Sequence, residues 1–193
     1  MTIAIIKYNA GNIKSVSNAL TRLAVDHAIT DDPDAIKGAD KVIFPGVGEA
    51  STTMKHLREK KLDVLIRQLR QPVLGICLGM QLMCRHSEEG DTPCLGIFDL
   101  PVQKFQIDLK IPHMGWNSLA KVKSPLFDPE KEGQFVYFVH SYYVPVATET
   151  AAISHYQIPF SAALQKDNFF ATQFHPEKSG GVGEQILQNF LSQ

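Results

Sequence analysis

Short apolar runs alternate with stretches of three- and four-residue hydrophobic spacing through the first half of the chain. Ile3-Ala4-Ile5-Ile6 has no polar break and predicts a strand buried on both faces, followed by a turn at Asn9-Ala10-Gly11. Ile13, Val16, Leu20, Leu23 and Ala24 then recur at helical steps. Asp26 to Thr30 fits a second strand, and Asp31-Asp32-Pro33-Asp34 a turn. Val42-Ile43-Phe44 predicts a third strand, stopped by Pro45-Gly46. Met54, Leu57, Leu62, Leu65, Ile66 and Leu69 mark helical faces that Pro72 ends, and Val73-Leu74-Gly75-Ile76 is a further buried strand. Such alternation implies a parallel sheet with helices on both faces, joined by right-handed crossovers.

From about Leu95 the rhythm changes. Strand-like runs follow at Val102 to Ile107, Phe135 to Val139, Ala151 to Tyr156, Ala162 to Leu164 and Phe169 to Phe174, divided by proline, glycine and charged clusters. Helical spacing returns at Ile186, Leu187, Phe190 and Leu191. The expected fold class is α/β: a mostly parallel sheet flanked by helices, with an additional antiparallel, strand-rich part in the C-terminal half. No repeat or linker interrupts it, so residues 1–193 are expected to form one domain.

Composition narrows the function classes. With 193 residues, 19 Lys plus Arg against 20 Asp plus Glu and a net charge of −1, the chain has no basic footprint for nucleic acid and no polybasic membrane patch. No apolar run approaches the roughly 18 residues of a membrane helix. The first strand lacks the basic flank and length of a secretory signal. Three cysteines without a C-x-x-C pair do not make a disulfide framework. A cytoplasmic, reducing setting is expected.

One of those thiols sits in a distinctive place. Gly75-Ile76-Cys77-Leu78-Gly79 follows a buried strand and precedes helical-looking Gln81 to Arg85, the thiol version of a nucleophile elbow. A helix N-terminus beneath a cysteine favours thiolate over thiol. The alternative is a buried core cysteine. A nucleophile needs a base and the base an orienting group; Gln173-Phe174-His175-Pro176-Glu177 offers both at the end of another apolar strand. The elbow supplies the Leu78 N–H as an oxyanion donor, and Pro45-Gly46-Val47-Gly48, at the same expected sheet edge, offers the backbone of Val47 and Gly48 as a second. Gly46 to Ser51 also nearly spells a dinucleotide fingerprint, but Ser51 replaces the third glycine and Ile66 stands where an acidic residue is wanted. Cys84, His86 and Cys94 match no familiar zinc spacing.

Cys77 in its elbow, His175-Pro176-Glu177 and the PGVG turn together resemble class I (triad) glutamine amidotransferases, over essentially the whole chain. Tyr8 to Ile13, Pro112-His113-Met114-Gly115-Trp116-Asn117 and Tyr137 to Tyr142 narrow this to a likeness with the glutaminase subunits of imidazole glycerol phosphate synthase. Lys7 departs from the acidic residue often found near that position. The resemblance implies a flavodoxin-like sheet and a Cys77–His175–Glu177 triad that hydrolyses glutamine to glutamate and ammonia. It also implies a glutamine pocket lined by Gln81, Glu89, His140, Ser141 and Tyr142. The implied partner is a cyclase subunit, a (β/α)8 barrel, in a heterodimer that converts a phosphoribulosyl-formimino aminoimidazole carboxamide ribonucleotide to imidazole glycerol phosphate. Asn12, Met114, Trp116 and Asn117 are the candidates for its docking face. No cofactor or metal is expected. The competing readings are a glutaminase of another synthase, of pyridoxal phosphate or anthranilate type, and a redox or non-catalytic thiol protein of flavodoxin-like fold.

Overall fold

The computed structural model describes residues 1–8, 13–128 and 132–193; Asn12 lies outside them. The first half runs β1 (Ile3–Ile6), α1 (Ile13–Arg22), β2 (His27–Thr30), α2 (Pro33–Gly38), β3 (Lys41–Gly46), α3 (Ala50–Glu59), α4 (Leu62–Gln68), β4 (Val73–Cys77) and α5 (Leu78–Met83). Three short strands follow: β5 (His86–Ser87), β6 (Thr92–Pro93) and β7 (Pro101–Lys104). Then come β8 (His113–Ser118), β9 (Phe135–His140), β10 (Tyr142–Tyr143), β11 (Thr150–Tyr156), β12 (Ile158–Lys166) and β13 (Phe169–Thr172). A 3-10 turn over Pro176–Lys178 leads into α6 (Gly180–Leu191).

Seven strands form the main sheet in the order β11-β12-β13-β4-β3-β1-β2. The five from β13 to β2 are parallel, and β12 and β11 continue the sheet antiparallel. The strand-rich half therefore extends the parallel sheet as well as adding to it: β13 inserts beside β4, in its interior. The remaining strands form a four-stranded sheet, β10-β7-β5-β6, and the ribbon β8-β9.

Alternation along β1 shows why the sheet is buried on both sides. Ala4 and Ile6 pack with Phe44, Leu57, Ile66 and Leu82 on one face. Ile3 and Ile5 pack with Leu20, Ile76, Phe138, Phe174 and Phe190 on the other.

Three local expectations change. Asp31 to Asp34 is no simple turn: Asp32 caps α2, its carboxylate accepting from the Asp34 N–H at 3.0 Å, with Pro33 in the first turn. Pro45-Gly46 does not stop β3, which pairs with β4 through Pro45↔Ile76 and Gly46↔Cys77. The missing proline N–H is tolerated because β1 pairs with β3 only as far as Ile43. The strand expected over Val102 to Ile107 is shorter, ending at Lys104, because Phe105 turns its ring into a stack with Tyr143, centroids 4.6 Å apart.

Candidate active site

The carboxyl ends of β3, β4 and β13 lie side by side, which is where open parallel sheets place their ligand crevices. The PGVG turn, Cys77 and the Gln173-Phe174-His175-Pro176-Glu177 segment leave the sheet at that edge.

Cys77 closes β4 and α5 begins at the next residue; its φ of 54° and ψ of −108° bend the chain sharply between the two. The glycines beside it have a different role from the one their spacing suggests. Cys77 itself carries the positive φ, whereas Gly79 lets α5 lie against β3: a Cβ there would sit 2.0 Å from the Phe44 carbonyl oxygen. Gly75 similarly makes room for the Met83 side chain. The helix starts three residues earlier than the Gln81 to Arg85 pattern indicated, because all six of its residues are buried and leave no polar face to count.

His175 and Glu177 meet as anticipated, buried together, with the ring Nδ1–H donating to Glu177 Oε1 at 2.8 Å. The backbone around them is tied down twice more. His175 N–H donates to the Tyr137 carbonyl at 2.9 Å, and the Ser179 hydroxyl donates to the His175 carbonyl at 2.7 Å. Burial alone would lower the pKa of His175. The hydrogen bond and charge of Cys77 on the other edge of the ring, followed by Glu177, instead push it up to about 10. The ring is thus held protonated between a carboxylate and the candidate nucleophile.

That arrangement has a sign-definite consequence for stability. Below about pH 6.5 the ring is charged in folded and unfolded chains alike, and its contribution is complete; it is lost as pH rises through about 10. Cys77→Ala removes the strongest of the interactions that raise the pKa, so its Tm should fall less steeply between those pH values than that of the wild type. Equal slopes in a thermal-unfolding series would show that the Cys77–His175 interaction is not the source.

A cavity of about 360 Å³ opens over Cys77. It brings together Val47, Gly48, Leu78, Gln81, Glu89, His140, Ser141, Tyr142 and His175, every candidate oxyanion and glutamine-pocket residue, with Glu177 behind the ring. Gln81 donates from Nε2 to the Tyr142 carbonyl and to Gln173 Oε1, both at 3.0 Å. Gln173 is fully buried, with its own Nε2 at 3.8 Å from the Cys77 sulfur. Glu89 accepts from the Ala50 N–H at 2.8 Å, and its pKa is raised, mainly by burial. His140 lines the cavity, but both ring nitrogens are engaged elsewhere, one on the Tyr142 carbonyl and one on His113.

Sequence reasoning missed Pro112, Val139, Gln173 and Tyr8. The Tyr8 hydroxyl donates to the Pro45 carbonyl and so holds the start of the PGVG turn. Tyr8, Pro112 and Val139 lie inside the strings that carry the resemblance and Gln173 lies beside His175, but no local feature gave any of the four a role.

The near-dinucleotide stretch cannot serve as one here. The N-terminus of α3, where a pyrophosphate would bind, already holds two carboxylates: Glu49 caps Thr52, and Glu89 takes the Ala50 N–H. Cys84, His86 and Cys94 have separate partners in Met80, Asp91 and Thr92. Among the described residues no three His, Cys, Asp or Glu converge as metal ligands, and no helix is long and apolar enough to cross a membrane.

The docking candidates divide. Met114 and Trp116 are 62% and 56% exposed on the outer face of the β8-β9 ribbon, with Phe135, unforeseen, at 58% beside them. Asn117 does not share that face. It alternates inward, and its amide is committed to His113 and to the His155 carbonyl.

Comparison with known proteins places this geometry. The model of the class-I glutamine amidotransferase family matches residues 5–193. The imidazole glycerol phosphate synthase subunit HisH of Bacteroides fragilis is 63% identical, with 99% of each chain covered. That of Yersinia pseudotuberculosis is 45% identical over the same shares. A solved glutamine amidotransferase has the same fold, with a TM-score of 0.76 at 18% identity over 98% of this chain and 97% of that one. PurLQS from Thermotoga maritima superposes with a TM-score of 0.72 at 13% identity, covering 99% and 97%. The chain belongs to the class-I glutamine amidotransferase family, and within it to the HisH subunits of imidazole glycerol phosphate synthase.

Proposed function

We propose that this chain is the glutaminase subunit of an imidazole glycerol phosphate synthase and that its chemistry runs on Cys77, His175 and Glu177. The observation that carries the reading is the single cavity in which Cys77 faces the Glu177-oriented ring of His175, between the turns bearing Val47 and Leu78. The sulfur attacks the side-chain amide carbon of glutamine, and the tetrahedral oxyanion is received by backbone N–H groups of the Val47–Gly48 turn and Leu78. His175, protonated at the outset, gives its Nε2 proton to the departing nitrogen, and ammonia leaves behind a glutamyl thioester. Water then attacks the thioester carbonyl, His175 takes the water proton, and glutamate and the free sulfur are restored.

The reading includes a cyclase subunit of (β/α)8 form, seated on Met114 and Trp116, that uses the ammonia to make imidazole glycerol phosphate and aminoimidazole carboxamide ribonucleotide. The position of that face supports it. Met114 stands opposite Val139, and Val139 and Pro112 both line the cavity, so a protein on the ribbon covers the mouth beside Cys77. The PGVG turn is where docking would act on the chemistry, since Gly48, at φ 117°, has the backbone freedom to reorient an oxyanion donor.

The test is glutamine hydrolysis by the chain alone and with a cyclase subunit plus its nucleotide. A rise on the order of tenfold to a hundredfold is expected, the usual range for coupled sites. No rise would reject the assignment of the partner, and hydrolysis surviving in Cys77→Ala would reject the assignment of the nucleophile.

A further inference from the structure

Behind the glutamine cavity lies a pair of buried histidines that the chemistry above does not use. His113 on β8 faces His140 on β9 across the ribbon, with His113 Nδ1 3.0 Å from His140 Nε2. Chemistry fixes the direction of every hydrogen bond around them. His140 Nδ1 lies 2.7 Å from the Tyr142 carbonyl, which can only accept, so that nitrogen carries the proton. Burial lowers the pKa of His140 to about 3 and that of His113 to about 4, so both rings are neutral at physiological pH. A neutral His140 protonated on Nδ1 must accept at Nε2, and His113 must therefore donate from Nδ1. That leaves His113 Nε2 as an acceptor for the Asn117 amide at 3.3 Å. The amide is itself oriented by the main chain: its Nδ2 donates to the His155 carbonyl at 2.8 Å, and its Oδ1 accepts from the Ser118 N–H at 2.8 Å.

The chain Asn117→His113→His140→Tyr142 is therefore anchored at both ends by backbone groups and runs one way. Its terminus is shared with the site, because the Tyr142 carbonyl also accepts from Gln81, which holds Gln173 against Cys77. We propose that His113 and Asn117 are positioning residues for glutamine binding: through His140 they fix the Ser141–Tyr142 wall of the cavity from the inner face of the ribbon whose outer face carries Met114 and Trp116. This rests on the reading of the Cys77 cavity as a glutaminase site.

Two measurements test it. In the complex with a cyclase subunit, His113→Phe keeps an aromatic ring stacked against Tyr156 and Phe138 but removes the donor to His140. An orphaned buried acceptor should raise the glutamine KM about tenfold while kcat stays within about twofold, since Cys77, His175 and Glu177 are untouched. His113→Asn places an amide N–H near the position of Nδ1–H and should bring KM back to within about threefold of the wild type. An unchanged KM in His113→Phe, or equal damage in both variants, would overturn the proposal. The second measurement needs no variant to fold. Nitrogen-15 spectra of the wild-type chain labelled on histidine should show His113 and His140 both as neutral Nδ1–H tautomers, and an Nε2–H tautomer on either ring would overturn the chain of donors. A wild-type complex that hydrolyses no glutamine at all would reject the glutaminase reading, and the positioning role with it, whatever the spectra show.

Discussion

Cys77→Ala should abolish glutamine-dependent synthesis, by about 10⁴-fold or more, and leave synthesis from added ammonia within about twofold of the wild type. The size of the first effect follows from the absence of any other group to form the thioester: among the described residues, Cys84 and Cys94 are held on Met80 and Thr92, away from the cavity. The second follows from geometry. Alanine keeps the Cβ and therefore the same backbone demand at φ 54°, and beyond its interaction with the His175 ring the sulfur's contacts with the Val139 carbonyl and Gln173 are distant, at 3.8 Å. The elbow and the ribbon that would dock the cyclase subunit have no reason to move. Measuring both reactions on one preparation of the complex decides the matter: loss of both activities would make Cys77 a structural residue.

Gly79→Ala should destabilise the chain by about 3 kcal/mol, roughly 10 °C in Tm for a chain of this length. Its added methyl would lie 2.0 Å from the Phe44 carbonyl oxygen, and both sides of that clash are main chain. No rotamer change relieves it; α5 must move off β3. Leu78 is the first residue of α5, so the proposed oxyanion donor moves too, and glutaminase activity should fall about a hundredfold in whatever fraction remains folded. Gly181→Ala is the matched control, because a Cβ there meets nothing within 4 Å and the backbone is ordinary helix. Thermal melts of the two variants should differ by nearly the whole effect. Equal melting temperatures would mean that close approach of α5 to β3 is not what Gly79 provides.

What could be read in advance follows the range of the signal. Ile3–Ile6 and Val73–Cys77 are legible as short runs buried at every position, and the helix containing Val16 and Leu20 by its three- and four-residue apolar spacing. The candidate nucleophile and base are legible because each sits in a distinctive run of five consecutive residues. α2 was not, since Ile36 is its only buried position and one apolar residue has no period. β8 was hidden by its own composition: His113 and Gly115 occupy inward positions where a strand pattern expects aliphatic residues. His113 is buried by stacking on Tyr156 at 4.1 Å and by its bond to His140, partners 43 and 27 positions away that no local window contains. For the same reason Asn117 looked like a docking residue. The string is contiguous in sequence, but alternation along β8 turns Met114 and Trp116 outward and Asn117 inward.

The insertion of β13 beside β4 also sets an order of events during synthesis. Cys77 leaves the ribosome about a hundred residues before His175, its proposed base, and until β13 is made β4 has a vacant flank where its last neighbour belongs. A nascent or truncated chain ending before Phe169 therefore has every element of the elbow, no base, and an unpaired central strand open to association with other chains. With the proposed triad, competence to release ammonia arrives only with the closing of the sheet, and an unfinished molecule would spare glutamine.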